Sequence, residues 1–272
     1  MASQDFSFGK FSANSFYSAL NGRLVDMAEV GSGQRIVDLA CGTGGVTQLI
    51  AERLRGARDS VIIGIDQSSI ALKQAVDNLK DARDAAVQFV QSRVEQMADS
   101  VKESVDTVFY FNAIHYLSDK DVVLEEVSKL LKPGGKFVFN TSFYDGGQST
   151  ETALFYRKWM FKTVRILRRE YGLKPSKADK VESRRHLTAD QYRELVEAHG
   201  MTVVKQQVDP VPVPLEGWLD ISTFEDFIEG TIPGVPLDKA SESLQQAASE
   251  TFEELGVDYV YRNWLGVVAV RV

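Results

Sequence analysis

The 272-residue sequence is poor in the residues that announce a disulfide framework or a metal centre. Its one cysteine, Cys41, can form no internal disulfide and fits a reducing compartment. In its tight loop, Cys41 reads as a small residue rather than a nucleophile. The three histidines, His115, His186 and His199, are too scattered for metal-ligand spacing, so no metal is expected. No apolar run reaches membrane-spanning length, and the opening residues lack the basic and apolar regions of a secretory signal. A soluble, cytoplasmic protein without integral membrane contact is therefore expected. The net charge of −7 argues against general nucleic-acid binding. Repeats and low-complexity tracts are absent. Hydrophobic content of 44% leaves ample material for a core, in one large or two smaller domains.

The informative stretch is Val37-Asp38-Leu39-Ala40-Cys41-Gly42-Thr43-Gly44-Gly45, followed one βα unit later by Ile62-Ile63-Gly64-Ile65-Asp66. An apolar run ending in an acid reads as a buried parallel strand, and the glycines force a tight turn into a helix. Glycine lets backbone N–H groups approach a ligand closely, and the helix start adds a positive dipole end. Asp66, closing the next strand, is positioned to accept hydrogen bonds from a ribose diol. A nucleoside-cofactor site follows. The dinucleotide fingerprint requires a third glycine where this chain has Thr47, which disfavours an NAD-type oxidoreductase.

Asp38-Leu39-Ala40-Cys41-Gly42-Thr43-Gly44 resembles motif I of the class I S-adenosylmethionine (SAM) methyltransferases, and the chain looks like their small-molecule, ubiquinone–menaquinone-methyltransferase-like members. The resemblance continues in register. Asp66 falls at that family's ribose-binding acid, Asp106 through Leu117 resembles its fourth strand and following loop, and Leu130 through Lys136 resembles the turn before strand five. It implies SAM as cofactor, with Asp38 contacting the methionine amino group, Ala40, Gly42 and Gly44 making room, and Asp66 and Gln67 serving the ribose and adenine. Asn112 joins them at the end of strand four. After strand three the family often places an acid that binds adenine's amine. The register gives Arg93-Val94-Glu95, and arginine cannot accept that hydrogen bond, which leaves Arg93 to stack on the ring or Glu95 or Ser92 to substitute. Asn112-Ala113-Ile114-His115 also resembles the Asn-x-x-His motif of polyketide C-methyltransferase domains. The dyad's acid would fall at Thr141, so the acid partner is missing. His115 stands as the candidate base, with a packing histidine as the plain alternative.

Strands alternating with helices predict a doubly wound, Rossmann-like α/β sheet, with seven mostly parallel strands and helical cap insertions. Residues 1–30 are expected as an N-terminal helical segment or lid, helical over 4–30. The core is expected over 31–144, 188–209 and 259–272, and the substrate caps over 145–187 and 210–258. Strand six is expected at Met201–Val208, with prolines punctuating an irregular segment after it. Residues 151–171 read as an amphipathic helix with a basic stripe, Lys158, Lys162, Arg165 and Arg169. Residues 157–186 hold eleven Lys and Arg but three acids, which suits a solvated face, an anionic diphosphate or carrier-protein partner, or a membrane surface. Tyr17, Tyr116, Tyr144, Trp159, Lys162 and Arg165 are the substrate candidates. The expected activity is methyl transfer to oxygen or carbon of a small hydrophobic or anionic metabolite, possible in natural-product biosynthesis. A non-methylating cyclisation on the same fold is the alternative.

Overall fold

The computed structural model describes residues 6–57, 59–82, 85–176 and 186–272. The chain divides into two compact units, one from Met1–Phe16, Gln148–Glu182 and Pro210–Asn263, the other from Tyr17–Gly147, Ser183–Asp209 and Trp264–Val272. Residues 1–5, the opening of the expected lid, and 177–185, in the basic stretch, lie outside the described residues.

The sheet comprises β1 (Arg35–Leu39), β2 (Val61–Asp66), β3 (Ala86–Gln91), β4 (Val105–Phe111), β5 (Leu131–Thr141), β6 (Met201–Pro214) and β7 (Tyr259–Arg271), in the order β3-β2-β1-β4-β5-β7-β6; the end of β6 from Pro210 and the start of β7 up to Asn263 count with the first unit, the rest with the second. The first five pair in parallel, with Asp38 opposite Gly64 and Phe109 and with Phe111 opposite Asn140. β7 then runs antiparallel to β5. β1, β2 and β4 are buried nearly end to end, which is why their sequences read as unbroken apolar runs. The strand order reverses between β1 and β4, and ligands of such sheets bind beyond the carboxyl ends at that reversal.

The helices have identifiable start signals. After α1 (Gly9–Ser12), α2 (Ser15–Ala28) and α3 (Gly45–Arg53), helix α4 (Ser69–Asn78) is capped by the Ser68 hydroxyl. A short α5 (Met97–Ser100) precedes α6 (Lys120–Leu130), which is capped by Asp119. α7 (Thr150–Ile166) is capped by Ser149, and α8 (Ala189–Glu197) by a reciprocal Thr188–Gln191 pair. α2 lays Leu24 on Gly266 of β7, where a Cβ would come within 2.6 Å of the leucine.

Three expectations need correction. The N-terminal segment is two helices rather than one, because the Asn14 amide donates to the carbonyls of Lys10 and Phe11 and ends the first. The N-terminal 30 residues also divide between the units at Phe16 and Tyr17. Val211 through Pro214 belong to β6, not to a loop. This is the last strand in the sheet order, where proline's missing N–H is tolerated. The stretch that follows forms α9 (Leu215–Ile221) and α10 (Glu225–Thr231) before α11 (Leu237–Leu255).

The first unit has its own core. Trp159 of α7 is fully buried against Phe155, Trp218 and Phe227, and its indole N–H donates to the Leu244 carbonyl at 2.8 Å.

Candidate functional site

The β1–α3 turn holds the first part of the site. Ala40, just past β1, has a left-handed φ of 52°, and Asn112, just past neighbouring β4, repeats this at 51°. Left-handed backbone at non-glycine residues costs about 1–3 kcal/mol each and concentrates where function requires it. Gly42 and Gly44 are also left-handed, for different reasons. A Cβ on Gly42 would meet nothing within 4 Å, leaving an open approach to its backbone. A Cβ on Gly44 would lie 2.7 Å from a Leu79 methyl, so this glycine serves the packing of α3 on α4. No side chain caps α3, which leaves its first N–H groups for a ligand.

Asp38 is 1% exposed. Thr47, in the position that breaks the dinucleotide fingerprint, donates its hydroxyl proton to Asp38 Oδ2 at 2.6 Å. Burial outweighs that bond and, with Asp66 nearby, holds the Asp38 carboxyl at about 7 instead of 3.8. A cation brought to this carboxyl would reverse the shift. Asp66 is held by two backbone donors, Gly42 N–H to Oδ2 and Ser68 N–H to Oδ1, both at 2.8 Å. Each oxygen keeps a second lone pair, so the carboxylate is oriented with acceptor capacity left for a diol. Burial raises the Cys41 thiol well above its ordinary value, which is the behaviour of an inert side chain packed near Gly64.

After β3, Arg93 Nε lies 3.4 Å from Glu95 Oε2, so the two residues pair with each other. Val94 is half-buried at the start of a short 3-10 turn, and Gln67 is exposed, its carbonyl accepting from the Gln91 amide.

A buried polar chain joins α2 to β4 and β5. The Tyr17 hydroxyl interacts with Asn21, Asn140 Nδ2 donates to Asn21 Oδ1 at 2.9 Å, and Asn112 N–H donates to Asn140 Oδ1 at 2.7 Å. The Asn112 side-chain oxygen is buried with no hydrogen-bond partner, and such a group calls for a donor from a ligand or water. Asn21 and Asn140 were missed in the sequence. The signal for Asn140 was a polar residue ending the apolar run Phe137–Phe139. Nothing in the helical pattern singled out Asn21.

His115 is buried, with its ring stacked on Phe143 at 4.4 Å and tilted against half-buried Tyr116 at 4.2 Å. Its Nδ1 lies 3.0 Å from Thr141 Oγ1, the position expected for the missing acid. Tyr17 is buried close enough to Asp38 for the carboxylate to oppose its ionisation. Tyr144 is buried in the hydrophobic core of this unit.

The other three substrate candidates lie in the first unit. Trp159 is a core residue there rather than a pocket wall. Lys162 Nζ lies 2.8 Å from Glu254 and donates to the Glu250 carbonyl, and Arg165 lies 3.5 Å from Glu250. With Lys158 also on Glu254, three of the four stripe cations share two acids of α11, while Arg169 pairs with Glu170, and the two lysines hold the Glu254 carboxyl at about 2. The sequence pattern could not reveal this, because the acids stand some 90 residues further along the chain.

A methyltransferase-domain family model matches residues 31–198. The chain belongs to that family, the class I SAM-dependent methyltransferases. It is 34% identical over 113 residues to the ubiquinone/menaquinone biosynthesis C-methyltransferase UbiE of Xylella fastidiosa, covering 41% of this chain and 44% of that protein. It is 28% identical over 109 residues to a ubiquinone biosynthesis O-methyltransferase of Paracidovorax citrulli, covering 40% and 44%. The match therefore spans less than half the length of these curated relatives. Phosphoethanolamine N-methyltransferase 2 of Haemonchus contortus, solved with SAM, shares the fold at a TM-score of 0.56 and 19% identity, over 98% of this chain and 56% of that one.

Proposed function

We propose that the protein transfers a methyl group from SAM to an oxygen or carbon of a small hydrophobic or anionic metabolite. The observation that carries this is the pair of prepared carboxyls. Asp66 is oriented for a ribose diol, and Asp38 is buried and in need of a cation such as the methionine ammonium. Gly42's open face, the uncapped start of α3 and the orphaned Asn112 oxygen support the same ligand. Asp38, Asp66, Gly42 and Asn112 would hold it, and Glu95, with one oxygen on Arg93, keeps another to accept from adenine's amine. Bound SAM supplies a sulfonium-activated methyl group, and the chain's own residues supply alignment, the larger part of such catalysis. The relatives named as O- and C-methyltransferases of ubiquinone and menaquinone biosynthesis favour oxygen and carbon acceptors. The first unit is read as the acceptor-selecting part of the chain, and natural-product biosynthesis as a setting that suits it.

Calorimetric titration with S-adenosylhomocysteine (SAH), the demethylated product, tests the cofactor assignment. Saturable binding that weakens in Asp66→Ala is expected, and absence of any binding by the intact chain removes the assignment. Transfer of labelled methyl from SAM into an acceptor then tests the reaction.

A further inference from the structure

We infer that Thr141 fixes His115 as the neutral tautomer protonated on Nε2, making the ring a hydrogen-bond donor at that nitrogen and not a base. Thr141 is fully buried, and two groups meet its hydroxyl. The Phe143 N–H, 3.0 Å away, can only donate. His115 Nδ1, also at 3.0 Å, is the remaining partner. A hydroxyl carries one proton, and a buried O–H left without an acceptor costs about 1–3 kcal/mol. Donation to Nδ1 satisfies the hydroxyl, Nδ1 and the Phe143 N–H and places the ring's proton on Nε2, where an acceptor oxygen of a ligand can meet it, whereas an Nδ1–H would set two donors on one oxygen, orphan the hydroxyl proton and leave Nε2 a bare acceptor. Nδ1 is therefore the acceptor, and the ring's single proton resides on Nε2.

A carboxylate at position 141 would do the opposite. It would accept from Nδ1–H and leave the lone pair on Nε2, the arrangement a base requires. The exchange of acid for threonine thus inverts the role of the ring without moving it. Phe143 stacks on the ring and Tyr116 tilts against it, which holds the ring plane.

The consequence deepens the methyl-transfer reading and rests on it. A ring that cannot take a proton at Nε2 serves an acceptor needing none removed at the reacting atom. Such an acceptor arrives as an oxyanion, a phenolate or enolate, or carries a carbonyl oxygen that accepts from the ring. Thr141 acts through His115 and is a positioning residue.

Nitrogen-15 spectroscopy of histidine-labelled protein, free and with SAH, tests this. His199 provides an internal contrast, since its Nδ1 donates to the Leu195 carbonyl at 2.8 Å and must be protonated in the neutral ring. At a pH where both rings are neutral, His115 should show a protonated Nε2 and a bare Nδ1, the reverse of His199. Thr141→Ser should keep that pattern, and Thr141→Val should lose it towards a mixture, with SAH affinity unchanged. A proton on Nδ1 of His115 in the unaltered protein overturns the inference, as does an unchanged pattern in Thr141→Val. Should the valine variant not fold, the unaltered protein and the serine variant still decide the tautomer. Failure of the intact protein to bind SAH would instead strike the methyl-transfer reading and leave the tautomer result standing.

Discussion

Replacing Asp38 with asparagine separates the stability of the protein from its capacity for cation binding. Between about pH 4 and 7 the folded protein keeps on Asp38 a proton that the unfolded chain has already released, because burial lifts this carboxyl from 3.8 to about 7. Raising the pH through that window therefore favours the unfolded chain, by about 4 kcal/mol in full. Asp38→Asn keeps the side chain's shape and an oxygen for the Thr47 hydroxyl, and it has nothing to ionise. Its amide adds a buried donor, a penalty of about 1–3 kcal/mol where no acceptor meets it. At about pH 8 the unliganded variant should be the more stable protein by about 1–3 kcal/mol. With about 2–4 °C per kcal/mol for chains of this size, that is several degrees in Tm. Near pH 5 the advantage should vanish. SAH affinity should move the other way, falling about 10- to 100-fold with the loss of a charge-assisted hydrogen bond. SAH binding to the unaltered protein near neutral pH should also release a proton, seen as a buffer-dependent heat absent in the variant. Melting curves across pH 5 to 8, with and without SAH, provide the assay. Parallel stability profiles for the two proteins would refute the buried-proton argument, and equal SAH affinity would refute the cation role.

Asp66→Ala should weaken SAH binding by about 10- to 100-fold in calorimetry, since it removes the proposed ribose acceptor and the anchor for Gly42 and Ser68. Gly44→Ala should destabilise by about 1–3 kcal/mol through its clash with Leu79 and its left-handed backbone, whereas Gly42→Ala should harm SAH affinity more than Tm. Trp159→Ala should lower stability by about 3–5 kcal/mol as a core deletion in the first unit, read from chemical denaturation. Reversing Lys162 and Arg165 to glutamate should lower Tm, and reversing Glu250 and Glu254 to lysine in the same protein should restore much of the loss. A double reversal that leaves Tm unaltered would return the stripe to a role in binding.

The parallel core was largely legible in the chain itself. Strands buried on both faces must be continuous apolar runs, so β2 and β4 stand out with their limits, and the glycine turn marks where β1 gives way to α3. The first unit was less legible. Its prolines read as loop, yet in the last strand of the sheet order they carry no penalty, and Trp218, donating to the Val213 carbonyl, fastens the next helix where sequence suggested irregular chain. The basic stripe was visible as charge, while its acidic partners on α11 were not, since pairing across distant helices leaves no local periodicity.

At the site, the sequence alone determined which groups are present: two carboxyls at successive strand ends, a glycine turn between them, and a histidine following β4. Residue identity and strand length suffice for that, because parallel strands deliver their carboxyl ends to one edge. Tertiary structure decided what those groups do. Burial, with Asp66 nearby, lifts Asp38 to about 7, only the fold sets Thr47 against it, and only the adjacency of β4 and β5 brings Thr141 to His115. Protonation and hydrogen-bond direction are set by neighbours in space, and those neighbours lie many residues apart along the chain.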